Sequence, residues 1–298
     1  MAEENKALVA WDNFEKVEVT DHWYDVYKMP GNVYAIYEPG QIEQVISYLI
    51  IGKDKALLWD TGTGVSDIKK TAEELTDLTI YVLNSHSHFD HTGGNALFNS
   101  ENIFYYDLEF AKDALTQGVP NDEIKSEVYK EALTRELPKG FDPESYCIKG
   151  KVPGIPKKAG DIIDIGNRKL EIWPSPGHSP DNIVLHDKEN AILFTGDTYY
   201  PDTLYCVSPG SDLKTYAKTL RKLADEVGSY DISWLYGAHT GTAQDLNSLD
   251  IAARALESII CGAKTDFEPF SLDFINAPLR HYLFPDTGID VLVLESEF

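Results

Sequence analysis

Cysteine is scarce in this chain, with three among 298 residues: Cys147, Cys206 and Cys261. They are far apart, odd in number and form no C-x-x-C pair. That excludes a disulfide framework and a paired-thiol redox motif, and it points to a reducing compartment. Long apolar runs are missing too, and none approaches the roughly 20 residues that a membrane-spanning helix needs. The start, Met1-Ala2-Glu3-Glu4-Asn5, has neither the basic head nor the apolar stretch of a secretory leader. These absences set the expectation of a soluble, cytoplasmic protein that engages no membrane. Basic residues are few as well: 26 Lys plus Arg stand against 49 Asp plus Glu, a net charge of −23. So acidic a surface repels phosphate backbones and argues against a nucleic-acid partner. Apolar residues still make up 43% of the chain, enough for a sizeable core.

Histidine is rare, eight in all, yet three fall in one stretch, Asn84-Ser85-His86-Ser87-His88-Phe89-Asp90-His91-Thr92-Gly93-Gly94. Imidazole nitrogen and carboxylate oxygen are borderline ligands suited to Zn²⁺ and its first-row neighbours. A lone histidine is ordinarily a surface or hydrogen-bonded residue. Four such groups packed this tightly are hard to satisfy without an ion, because they would have to share a few partners. The stretch follows the β-branched run Thr79-Ile80-Tyr81-Val82-Leu83, which reads as a buried strand. The ligands then sit just past a strand's carboxyl end, where α/β folds place their chemistry. His86 and His88, two apart, point the same way in extended chain. Asp90 and His91 follow a turn and can face a second ion.

Further candidates recur at similar places downstream. His178 lies in the turn-rich Pro176-Gly177-His178-Ser179-Pro180-Asp181, after the strand-like Lys169-Leu170-Glu171-Ile172-Trp173. Asp197 follows Ala191-Ile192-Leu193-Phe194 in Thr195-Gly196-Asp197-Thr198, and His239 follows Ile232-Ser233-Trp234-Leu235-Tyr236 in Gly237-Ala238-His239. The glycines permit the tight turn that presents a side chain at a strand's end.

With Asp60-Thr61-Gly62, these motifs occur in an order that resembles the metallo-β-lactamase-fold hydrolases, over about Val45 to His239. The resemblance implies a four-layer αβ/βα sandwich, an α/β fold, with a dinuclear metal site. It implies His86, His88 and His178 at one ion, Asp90, His91 and His239 at the other, and Asp197 between them. Asp60 would support the ligand loop rather than bind. The set with a bridging Asp is similar to the glyoxalase II, lactonase and phosphodiesterase branches. The family's true β-lactamases lack that acid, and its flavodiiron members carry Glu where this chain has His88. Tyr200, three residues after Asp197, resembles a catalytic tyrosine of the N-acyl homoserine lactonases, though a chain with 17 Tyr often puts one near any site. As a substrate contact its phenol would donate to a developing oxyanion.

The even scatter of ligands favours a single domain over residues 1–298. Two hairpin-like pairs echo each other. Tyr48-Leu49-Ile50-Ile51-Gly52 with Ala56-Leu57-Leu58-Trp59-Asp60 matches Asn182-Ile183-Val184-Leu185-His186 with Ala191-Ile192-Leu193-Phe194-Thr195-Gly196-Asp197. Apolar spacing predicts helices over 65–77, 213–227 and about 243–260, and a closing strand over 289–294. Residues 107–158 read as a helical, highly charged insertion as far as Leu137, broken by Pro138-Lys139-Gly140 and then rich in Pro and Gly. Such a segment either overhangs the site and selects substrate or is a solvated helical pair. Trp23-Tyr24, Tyr199-Tyr200 and Phe270 through Phe284 offer pocket walls or plain core.

Two close cations would lower the pKa of a shared water, whose hydroxide attacks an electrophile that one metal polarises. Asp90 and Asp197, ionised ligands, also orient or receive a proton. No Ser nucleophile of the Gly-x-Ser-x-Gly type occurs. The favoured expectation is therefore a hydrolase of a small carboxylic ester, lactone or thioester. A phosphodiesterase is the alternative, and a mono-iron oxidoreductase is a third reading that the full ligand set argues against. Zn is the default ion for His and Asp donors, and Mn and Fe fit them too. A homodimer is the default assembly only because dimers are the commonest.

Overall fold

The computed structural model describes residues 8–272, 275–285 and 287–297. The reading of Met1-Ala2-Glu3-Glu4-Asn5 lies outside them. The described chain forms two compact units, Trp11–Ile172 and a second made of the segment ending at Ala10 with the chain from Trp173 onward. Among the described residues no helix is long and apolar enough to cross a membrane.

The amino-terminal unit is built on an eight-stranded sheet in the order Ile155–Lys157, Ile103–Tyr106, Ile80–Leu83, Ala56–Trp59, Ile46–Ile51, Val33–Tyr37, Asp25–Met29, Glu15–Val17. Its central strands are apolar apart from Ser47, and Ile46 through Ile50 and Ala56 through Trp59 are buried. A strand buried on both faces has no polar alternation to show, so it reads as an unbroken run. Ile46–Ile51 and Ala56–Trp59 pair antiparallel, with Tyr48 opposite Trp59. Ala56–Trp59 then pairs parallel with Ile80–Leu83, which demands a crossover. Helix Ile68–Leu75 supplies it, started by Asp67, whose side chain accepts from Lys70 N at 3.1 Å. The expected start at Val65 moves to Ile68 because Gly64 holds a left-handed φ of 76° and Asp67 takes the cap.

The carboxy-terminal unit repeats that plan. Ile183–Asp187 and Ile192–Gly196 form an antiparallel pair, with Leu185 opposite Phe194. Helix Leu213–Val227 is capped by Asp212, which accepts from Thr215 N at 2.6 Å. Trp234–Gly237 returns parallel to Ile192–Gly196. The sheet continues through Thr242–Ala243 to Leu8–Val9. A second, four-stranded sheet runs Thr203–Cys206, Ile289–Leu294, Ile275–Phe284, Glu268–Leu272. The last long helix begins at Asn247, not near Ala243, because Thr242 and Ala243 pair with Tyr236 and Leu235. Arg221 joins it to the capped helix through Asp250 and Glu257.

The 107–158 segment is less helical than its composition suggests. Helix Glu109–Gln117 ends at Gly118, whose φ is 68°, and Gly118–Val119 pairs with Ile148–Lys149. Pro120 follows, and then only single helical turns, Asn121–Ile124, Lys125–Val128 and Lys130–Ala132. A backbone committed to strand pairing and a proline cannot also carry a helix. All three cysteines are free thiols, and Cys206 is buried.

Candidate metal centre

In the amino-terminal unit the parallel pairing of Ala56–Trp59 with Ile80–Leu83 brings two carboxyl ends side by side. Asp60 N donates to Leu83 O at 3.0 Å. The chain bends through residues 85–87, is extended at His88 and then makes one helical turn, Phe89–Thr92. The rings of His86 and His88 lie together, with centroids 4.3 Å apart. The turn brings His91 to the same distance from His86. Asp90 Oδ2 lies 3.1 Å from His91 Nε2. His86, Asp90 and His91 are buried, and His88 is half-buried.

Asp60 contacts the histidine-bearing stretch at two points. It is fully buried at a left-handed φ of 65°, a conformation Asp tolerates better than most residues. One carboxylate oxygen accepts from Ser85 N at 2.6 Å, and the other faces His91 Nδ1 at 3.1 Å. Burial pushes the Asp60 carboxyl above its usual range, and His91 and Ser85 pull it back. Ser85 Oγ lies 3.0 Å from His86 Nδ1. Backbone contact is equally close. A Cβ on Gly93 would lie 2.3 Å from the Thr63 carbonyl carbon, so only glycine lets the ligand turn rest on the 61–64 loop. That loop is held by buried Glu38, which accepts from Trp23 Nε1 at 2.7 Å, Thr63 N at 2.9 Å and Thr63 Oγ1 at 2.5 Å. Tyr146, from the 107–158 segment, donates to Thr63 O at 2.7 Å.

The carboxy-terminal unit gathers its own donors. Asp197 follows Gly196, which takes the left-handed φ of 52° at the strand's end. His178 Nε2 lies 3.4 Å from Asp197 Oδ2, and His239 Nε2 lies 3.2 Å from Asp197 Oδ1. His178 Nδ1 donates to Tyr205 O at 2.8 Å. A carbonyl can only accept, so Nδ1 carries the proton and Nε2 presents its lone pair on the Asp197 side. Tyr200 is buried with its ring 4.9 Å from that of His239. Gly237 makes room for it, since a Cβ there would lie 2.6 Å from Tyr200 Cβ. Burial, and then the Asp197 charge, push the Tyr200 phenol well above its usual pKa.

The donor chemistry and spacing fit metal binding. Four ligands on 2.0–2.1 Å bonds stand about 3.3 Å apart along the edges of a tetrahedron. The nitrogen–oxygen separations of 3.1, 3.2 and 3.4 Å within the two groups are of that size. Anchoring the second nitrogen on a carboxylate or carbonyl, as Asp60 and Tyr205 O do, is the usual support of a ligating histidine. Each unit thus brings its expected ligands together: His86, His88, Asp90 and His91 in one, His178, Asp197 and His239 in the other. Glu38 and Tyr216 escaped the sequence reading, since an acid at a strand's end and an aromatic in an amphipathic helix carry no metal signal. Trp23, Tyr24 and Tyr199 are core residues, and Phe270 is exposed.

The sequence profile of the Metallo-beta-lactamase superfamily matches residues 41–239. The chain is 26% identical over 221 residues to acyl-coenzyme A thioesterase MBLAC2 of Homo sapiens, covering 69% of this chain and 77% of that protein. It is 28% identical over 131 residues to hydroxyacylglutathione hydrolase of Rhodospirillum rubrum, covering 43% and 37%. A metallo-beta-lactamase family protein of Thermus thermophilus superposes with a TM-score of 0.54 at 21% identity, over 79% of this chain and 82% of the other. That likeness shows the shared α/β fold alone.

Proposed function

Because the chain belongs to the metallo-beta-lactamase superfamily, we propose that it is a metal-dependent hydrolase of ester-type bonds, acting on acyl thioesters. The observation that carries this reading is the donor set: all seven His and Asp candidates lie inside the matched segment 41–239. The acyl-thioester choice rests on the likeness to a named thioesterase over 69% of the chain. In this reading His86, His88 and His178 would hold one ion, Asp90, His91 and His239 would hold the other, and Asp197 would be available to both. Zn is the default, and Mn and Fe remain compatible with the donors.

Bound ions of this kind lower the pKa of water and polarise an acyl carbonyl. The chain's own residues then have separable tasks. Asp60 holds His91 with its proton on Nδ1, and the Tyr205 carbonyl does the same for His178. Asp197 holds its carboxylate against two imidazoles and, with Asp90, orients or receives a proton. Tyr200 is protonated at neutral pH, and burial raises its phenol further, so its hydroxyl has a proton to donate there. Its phenol is assigned to the oxygen on which charge develops as the acyl carbon is attacked.

The test is to purify the protein without added metal, quantify bound metals, and assay acyl-coenzyme A and acyl-glutathione thioesters beside a phosphodiester. Two metals per chain and thioester turnover support the reading. Tyr200→Phe is expected to lower kcat by roughly 10²-fold with metal content unchanged. Turnover of the phosphodiester alone would replace the reading with a phosphodiesterase. One iron per chain and no hydrolysis would overturn it.

A further inference from the structure

The two ligand loops of the carboxy-terminal unit meet the same helix. Tyr216 lies in the first turns of Leu213–Val227 and is fully buried. Its hydroxyl donates to Asp197 O at 2.7 Å and lies 3.1 Å from Thr198 O. The residue's backbone is pressed on the other loop. A Cβ built on Gly177 would lie 2.3 Å from Tyr216 Cα, so the loop carrying His178 touches the helix with no side chain between. Asp212 N donates to Gly177 O at 2.9 Å, and Asp212 O in turn accepts from Tyr216 N at 2.9 Å. One turn on, Thr219 Oγ1 donates to Pro176 O at 2.6 Å. The ring of Tyr216 also stands edge-on to His178, with centroids 6.4 Å apart.

From this we infer that Tyr216, seconded by Thr219, is a positioning residue that sets the separation of His178 from Asp197 and so prepares their donors for a metal ion. The inference rests on the ligand roles proposed above, because it assigns Tyr216 a task only if those two side chains bind. Its physical basis is rigidity. Asp197 sits in a turn after a strand and His178 in a Gly- and Pro-containing loop. The loops also meet directly, where Thr198 Oγ1 donates to Ser175 Oγ at 2.7 Å and accepts from Asn182 Nδ2 at 3.1 Å. Those bonds lie beside the two ligand residues, whereas a helix of 15 residues is a stiff support that touches both loops. The hydroxyl bonds the backbone carbonyl of the ligand residue itself. Its loss therefore loosens the Asp197 backbone while removing no donor atom. Groups that hold ligands without binding metal typically contribute about 10–100-fold in affinity.

The experiment uses Tyr216→Phe, which deletes one oxygen and keeps the ring, in the full chain with Co(II) and Zn(II) alone as probes. Affinities come from competition with a chromogenic chelator, coordination from the visible Co(II) spectrum, and stability of the metal-free protein from urea unfolding. The expected result is about tenfold weaker binding and an altered Co(II) band in a protein that still folds. Affinity within twofold of wild type and a superimposable Co(II) band would overturn the inference. Should Tyr216→Phe not fold, Thr219→Val is measured instead, and the same two results decide. Wild-type protein that binds neither ion would instead refute the proposed function, so the two failures are distinct.

Discussion

Replacing Asp60 with Asn changes a single atom's chemistry at the point where the amino-terminal ligand turn is held. The two side chains share shape, and Asn tolerates the left-handed backbone that Asp60 adopts at φ 65°. The amide oxygen can still accept from Ser85 N, now at 2.6 Å. The amide nitrogen is then left facing His91 Nδ1, 3.1 Å from the oxygen it replaces. Two donors cannot share that gap in a fully buried site. If His91 keeps its proton on Nδ1, an unsatisfied pair costs about 1–3 kcal/mol. If the proton moves to Nε2, it meets Asp90 Oδ2 at 3.1 Å and the fold is nearly undisturbed. That second outcome is the cheaper, and it occupies with a proton the nitrogen assigned to the metal.

The expected result for Asp60→Asn is a urea midpoint lowered by no more than about 1–2 kcal/mol in stability. Metal affinity at the His91 position should fall about 10–100-fold, equivalent to about 1.4–2.7 kcal/mol. The assay is chelator competition together with ¹⁵N–¹H correlation spectra of the imidazoles in the metal-free protein. These should show His91 changing from the Nδ1–H to the Nε2–H form. An imidazole that stays Nδ1-protonated in a variant of wild-type metal affinity would refute the reasoning.

Two further expectations follow from contacts in the same unit. Gly93→Ala places a methyl 2.3 Å from the Thr63 carbonyl carbon and 2.4 Å from Gly64 N, both backbone atoms that cannot rotate away. It should lower stability by about 3 kcal/mol, read from urea unfolding, and an unchanged midpoint would contradict the close approach. Glu127 is buried, and burial, then the Asp90 charge, raise its pKa to about 7 despite a 3.0 Å bond from Gln41 Nε2. A carboxyl that binds its proton more tightly when folded contributes stability that is full below about pH 4.3 and is lost as pH rises through about 7. In metal-free protein, Glu127→Gln should therefore gain on wild type by up to ~1.4 kcal/mol per pH unit across that window, and a pH-independent difference would exclude the shift.

How much of this was legible depended on how local each signal was. His86, His88, Asp90 and His91 announce themselves because their donor chemistry is concentrated in six consecutive positions. Asp60, His178, Asp197 and His239 are singletons. They become legible through position: each follows a strand-like run, and the two hairpins echo each other down to the acid that ends them. That echo reappears as topology, since both units run antiparallel pair, acid, helix, parallel strand, histidine. What stayed hidden are the residues whose partners are distant in sequence and whose types are ordinary in their element. Tyr216 occupies a core position of an amphipathic helix, and only its 2.7 Å bond to the Asp197 carbonyl, 19 residues away, separates it from the other buried aromatics. Glu38 ends an apolar strand, and its three donors come from Trp23 and Thr63, 15 and 25 residues away. The 107–137 segment misled for the opposite reason. Its pattern favours helix, but Gly118 at a left-handed φ of 68°, Pro120 and the pairing of Gly118–Val119 with Ile148–Lys149 win locally, because a left-handed residue and a proline without an N–H both break the helical hydrogen-bond ladder. A cluster of donor side chains can therefore be read from chemistry and spacing, whereas the residues that hold it in place still require the backbone to be seen.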